Sequence, residues 1–164
     1  MPDRVKLMPD VFIVGCGGIG SLLAGNWRER GARVTALARS EAAKRRLQGL
    51  GLKTVFGDLD DPDSLQGLPL ARATLYYLAP PPPDGDTDPR MHHFLEALDE
   101  VEPPTRIIYI STSGVYGDTG GAWVNEETPP NPQTGRARRR LDAENILRAV
   151  GRRLGIEVIL SLIH

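Results

Sequence analysis

Val11-Phe-Ile-Val-Gly-Cys-Gly-Gly-Ile-Gly20 is the stretch on which the fold turns. Val11 to Val14 are apolar in an unbroken run, which predicts a buried strand of a parallel sheet. Gly15, Gly17 and Gly20 give the spacing G-x-G-x-x-G, and an apolar helical pattern with Ile19, Leu22, Leu23 and Trp27 follows at once. The first glycine permits a tight turn. The second lets backbone approach a pyrophosphate with no Cβ in the way, and the third lets the new helix pack closely on its strand. N–H groups left free at the helix start, together with the aligned peptide dipoles, favour a negative ligand there. Strand, glycine loop and helix in this order predict dinucleotide binding.

Working outward, the chain alternates strand and helix. Strands are predicted over 33–38, 52–56, 73–79, 106–111 and 156–163, and helices over 40–50, 61–66, 88–101 and 135–154. Ser40 is placed as the N-cap of the second helix, and Asp61 with Pro62 as a cap followed by proline at the first helical position. Pro80 to Pro83 cannot continue a central strand and predict an extended exit loop. Residues 117–134, rich in Gly, Pro, Asn and Thr, predict a long irregular loop, and the polar start up to Asp10 a frayed lead-in. Each connection is long enough to cross over. The expected fold is therefore α/β, a doubly wound parallel sheet of about six strands in the order 3-2-1-4-5-6.

Length and composition narrow the function classes. The 164 residues suffice for one domain, and 20 basic against 21 acidic residues give a net charge of −1. Nothing global points to nucleic acid or an acidic membrane. Short apolar runs and the lack of a secretory pattern at the start predict a cytoplasmic protein without a membrane partner. The single cysteine, Cys16, rules out an internal disulfide framework. It reads as a small buried hydrophobe. No metal site is expected: His92 and His93 are adjacent, so a helix splays them about 100° apart.

The tip of the second strand chooses between dinucleotides. An Asp or Glu there would accept both ribose hydroxyls and repel a 2′-phosphate. This chain has Arg39-Ser40 instead, and a guanidinium forks onto phosphate while a serine hydroxyl donates to it. NADP(H) is expected ahead of NAD(H). The plainer alternative is a solvated arginine beside a serine that merely caps the next helix. Asp58, after the third strand, is either an acceptor for the adenine amino group or a turn residue.

By the fifth strand the chain resembles the extended and atypical short-chain dehydrogenase/reductase family, the group of nucleotide-sugar epimerases and dehydratases. Ser111-Thr-Ser-Gly-Val-Tyr-Gly117 is similar to that family's fifth-strand signature, and Leu78-Ala-Pro-Pro81 looks like its atypical members. Residues 127–138 resemble the segment that leads into the family's catalytic Tyr-x-x-x-Lys. The resemblance places the catalytic hydroxyl on Thr112. With the readings of the glycine loop, Arg39, Ser40 and Asp58 above, the expected cofactor-binding set is Gly15, Cys16, Gly17, Gly18, Ile19, Gly20, Arg39, Ser40, Asp58, Leu59, Leu78, Ala79, Pro80 and Ser111. A homodimer through the helices around 90–101 and 136–154 is implied as well.

Thr134, however, stands where the family has tyrosine, and Arg138 where it has lysine. The tyrosine exchanges a proton with substrate as hydride moves, and the lysine lowers its pKa and holds the nicotinamide ribose. A threonine hydroxyl is far too weak an acid for that work. Arg138 could hold a ribose or phosphate but is no tunable acid, and Tyr116 is the nearest substitute by sequence. Members of the family also continue well beyond this length, so the whole chain reads as one dinucleotide-binding domain without the family's substrate region. Two functions stay open. One is an NADP-dependent oxidoreductase, epimerase or dehydratase acting on a nucleotide sugar or small carbonyl. The other is a non-catalytic NADP(H)-binding or redox-sensing module that works through partners. The seven arginines of the last helix read as a solvated face with some ion pairs.

Overall fold

The structure is a computed structural model that describes residues 8–163. The strands are β1 (Asp10–Val14), β2 (Arg33–Ala38), β3 (Lys53–Phe56), β4 (Thr74–Tyr77), β5 (Arg106–Thr112) and β6 (Glu157–Ile163). The α-helices are α1 (Gly18–Glu29), α2 (Glu41–Gly49), α3 (Pro89–Ala97) and α4 (Gly135–Leu154). All strand pairs are parallel, and the order is β3-β2-β1-β4-β5-β6 as expected.

Alternation along each strand divides the core into two layers. Phe12, Val14, Leu75, Tyr77, Ile107 and Tyr109 point to one face, where Met91, Phe94 and Leu95 of α3 and Ala143 and Leu147 of α4 cover them. Val11, Ile13, Val34, Ala36 and Ala38 point to the other, beneath Ala24 of α1 and Leu47 of α2. Capping follows the sequence. Ser40, Asp88 and Thr134 accept from Ala43 N, Met91 N and Ala137 N at the starts of α2, α3 and α4. Gly155 closes α4 at φ +68°.

Several expectations are corrected. The lead-in to Asp10 lies outside the described residues over 1–7, and Asp10 itself opens β1, its carboxylate taking a forked Arg33 at 2.7 and 2.8 Å. Of the apolar residues expected to bury α1, Ile19 is 62% and Leu22 75% exposed, while Gly20 and Ala24 face the sheet. Small residues win that face because α1 lies too close to β1 for large ones. Residues 62–65 form a 3₁₀ turn without a side-chain bond from Asp61, whose carbonyl instead accepts from the Ser64 hydroxyl at 2.7 Å. The arginines of α4 are not all solvated: Arg139 and Arg140 are each only 8% exposed.

Candidate functional site

The glycine loop does locally what its spacing predicts. Gly15 sits at φ +87°, and a Cβ there would stand 2.4 Å from Ala79 N. A Cβ on Gly20 would meet Gly15 O at 3.1 Å and Leu78 Cδ1 at 3.4 Å, so the third glycine sets how closely α1 approaches. Above Gly17 there is nothing within 4 Å. That open space is a cradle which any side chain at Gly17 would fill. The amides of Gly18, Ile19 and Gly20 form the first turn of α1 and have no helical carbonyl to bond, and no acidic residue occupies that turn. The chemistry suits a bound phosphate or diphosphate.

The loop forms one wall of a cleft of about 430 Å³ at the carboxyl ends of β1 to β4. This is the crevice where the strand order reverses, the ligand position of open parallel sheets. Gly15, Cys16, Gly17, Arg39, Asp58, Leu59, Leu78, Ala79 and Pro80 all line it. Ser40 does not, since its Oγ caps α2. Asp58 Oδ1 accepts from Asp60 N at 3.0 Å, a contact within the turn after β3. Burial pushes the Cys16 thiol up, which suits the packing role rather than a nucleophile.

Sequence reasoning missed Arg46, Gly57, Asp60 and Arg90, which line the same cleft. Arg46 donates to Cys16 O at 2.6 Å. Ala43, Arg46 and Leu47 reach the cleft together because residues three and four apart share a helix face, a periodicity readable in advance. Arg90 forks onto Asp60, with both bonds at 2.7 Å, and donates to Pro80 O at 3.2 Å. It ties the loops after β3 and β4 together and holds the Asp60 carboxyl below its ordinary range. His93 reinforces the same rim through Leu59 O at 2.7 Å.

The residues of the second half are placed elsewhere. Thr112 ends β5, with its Oγ1 accepting from Gly114 N at 3.2 Å, and Tyr116 closes the 3₁₀ turn that follows. Ser111 is 1% exposed and donates to buried Glu144. Arg138 is paired with Asp86 at 2.7 Å. None of these four lines the cleft. Beneath them runs a buried polar network. Arg140 donates to Tyr109 Oη at 3.1 Å and to Ile110 O at 2.8 Å, and burial pushes the Tyr109 phenol up to about 12.

Comparison with solved structures settles the architecture. A UDP-glucuronic acid 4-epimerase from Bacillus cereus in complex with NAD matches 92% of this chain at TM-score 0.69 and 21% identity. A UDP-glucose 4-epimerase from Thermus thermophilus in complex with NAD matches 92% at 0.72 and 21% identity, and one from Thermotoga maritima with UDP-glucose 92% at 0.74 and 17%. The fold is a Rossmann fold. The matches cover 54%, 53% and 54% of those chains, so this chain spans about half their length. The TrkA-N domain matches residues 11–85, the part of the chain that carries all of the cleft lining except Arg90. Comparison with curated protein sequences returns no match. Among the described residues no helix is long and apolar enough to cross a membrane.

Proposed function

We propose that the chain binds a nicotinamide dinucleotide in the cleft, with NADP(H) preferred over NAD(H). The observation that carries this reading is the acid-free start of α1 beside the open space over Gly17. Gly17 and the amides of Gly18 to Gly20 would hold the diphosphate, and Leu78 to Pro80 the opposite side. Arg39 lines the end of the cleft formed by β2 and α2, where a 2′-phosphate would find a guanidinium and no carboxylate at the strand tip, while Arg46 beside it is bonded to Cys16 O. The solved structures named above hold NAD, so the preference is open to direct test.

In this proposal the chain is the cofactor half of an epimerase/dehydratase-like short-chain dehydrogenase/reductase. Its substrate class would be a nucleotide sugar, or a small carbonyl compound. A bound nicotinamide would supply hydride transfer. Thr112, Tyr116 and Arg138 are the groups proposed to meet substrate. A second reading, a non-catalytic NADP(H)-binding or redox-sensing module, has its own support: Thr134 and Arg138 are occupied as a helix cap and an Asp86 partner. Self-association and a cytoplasmic setting belong to both readings.

Calorimetry with NADPH and NADH, on the parent and on Arg39→Ala, tests the cofactor. Tighter NADPH binding that Arg39→Ala abolishes is expected, and no heat with either nucleotide sinks the proposal. Turnover of UDP-sugars or carbonyls with bound nucleotide then separates the readings. An enzyme shows turnover that falls in Thr112→Ala, whereas a binding module shows none.

A further inference from the structure

The cleft mixes its charges. Three guanidiniums, Arg39, Arg46 and Arg90, line it together with two carboxylates, Asp58 and Asp60. Arg46 is bonded to Cys16 O, whereas among the described residues no hydrogen bond holds Arg39. Asp60 is therefore a rival for Arg39. The Arg90 bonds do most to hold its carboxyl below the ordinary range, but the charges of Arg39 and His93 also reach it. Any further anion at Arg39 would have that carboxylate as a neighbour.

Arg90 answers this from a third element. It is the second residue of α3, and its Nε and Nη2 fork onto the two oxygens of Asp60, each at 2.7 Å. Its Nη1 donates to Pro80 O at 3.2 Å, which fixes the guanidinium on the far wall of the cleft. A fork of this geometry matches charge with charge and leaves the pair neutral as a unit. NADPH and NADH share every group but one, the 2′-phosphate, which adds about −1.5 to −2 charges near neutral pH. Local charge beside Arg39 therefore acts on one nucleotide far more than on the other.

We propose that the Arg90–Asp60 pair is a specificity determinant of the cleft, with Arg90 cancelling the carboxylate that would otherwise contest Arg39 with a 2′-phosphate. This rests on the nucleotide binding proposed above, but not on which nucleotide the parent prefers, because it concerns the ratio of the two affinities. The rival account makes the pair only a clasp between the loops after β3 and β4. A clasp serves both nucleotides alike, and breaking it from either end has the same result.

Titration calorimetry with NADPH and NADH at low salt separates the two accounts, on the parent, Arg90→Met, Asp60→Asn and the double variant. Arg90→Met removes a positive charge and frees a negative one, so the ratio of NADPH to NADH affinity should fall by about threefold or more. Asp60→Asn breaks the same bonds but removes the negative charge, so the ratio should rise by a similar factor. The double variant should return near the parent. Both shifts should shrink at about 0.5 M salt, as charge effects at an open rim do. Single variants that move the ratio in the same direction, or leave it unchanged, overturn the proposal in favour of the clasp. The Asp60 side chain is 54% exposed, so Asp60→Asn alone decides if circular dichroism shows Arg90→Met unfolded. A parent that binds neither nucleotide overturns the reading beneath it and this inference together.

Discussion

The guanidinium of Arg46, in the second half of α2, donates to the carbonyl of Cys16 at 2.6 Å. The helix that follows the second strand thereby holds the loop that follows the first. Among the described residues no hydrogen bond ties Arg39, which lines the same cleft, to the glycine loop. The two arginines should therefore fail differently when removed.

Arg46→Met is expected to weaken NADPH and NADH alike, by about tenfold, because the loop that meets the diphosphate shared by both nucleotides loses a charge-assisted bond. Arg39→Met is expected to weaken NADPH alone. Titration calorimetry with both nucleotides reads the contrast. Unchanged binding in Arg46→Met would show that its bond to Cys16 does not order the loop.

Gly15 and Gly17 separate fold from ligand. Gly15→Ala forces a left-handed φ on alanine and a Cβ 2.4 Å from Ala79 N, so it should destabilise the protein by about 1–3 kcal/mol in thermal or denaturant unfolding. Gly17→Ala meets nothing and should unfold like the parent, yet bind neither nucleotide, because its methyl occupies the cradle. Binding retained in Gly17→Ala would remove the cradle from the site.

These contrasts show which part of the chain was legible in its sequence. Periodicity and glycine spacing carry strand order and the phosphate loop because both are local and repeated: Val11 to Val14 must be buried, and Gly15 must turn. Asp60 and Arg90 escaped because they act through each other, 30 residues apart in the chain. Arg139 and Arg140 misled because arginine on a helix usually seeks water, whereas here Gly85 O and Tyr109 Oη receive them in the interior. The exposed flank of α1 misled for the opposite reason. Apolar spacing tells which residues share a side of a helix, not whether anything lies against that side.

Thr134 tests whether the position equivalent to the family's tyrosine retains any chemistry. Its Oγ1 accepts from Ala137 N at 3.1 Å as the cap of α4. Thr134→Ala should lower stability by about 1 kcal/mol, and Thr134→Ser should restore it. Nucleotide binding, and any turnover, should be unchanged in both. A loss of turnover in Thr134→Ala at preserved stability would return this residue to the reaction.

Asp88 sets a pH dependence of the fold. The residue is 0% exposed and its Oδ1 caps α3 through Met91 N at 3.2 Å, while Oδ2 is buried without a partner. Burial pushes its carboxyl up, Asp142 adds to the rise, and the Met91 and Arg90 amides and Arg140 oppose it. Below the ordinary carboxylate range both folded and unfolded chains carry the proton, and Asp88 exacts nothing. As pH rises toward the raised folded value the unfolded chain ionises first, so stability falls until the folded carboxyl has ionised too. Asp88→Asn keeps the cap oxygen and cannot ionise. In denaturant unfolding it should approach the parent at acid pH and gain on it toward neutrality, by at most about 1.4 kcal/mol per pH unit. A gap between the two that stays constant with pH would show that Asp88 ionises as freely in the folded protein as in the unfolded chain.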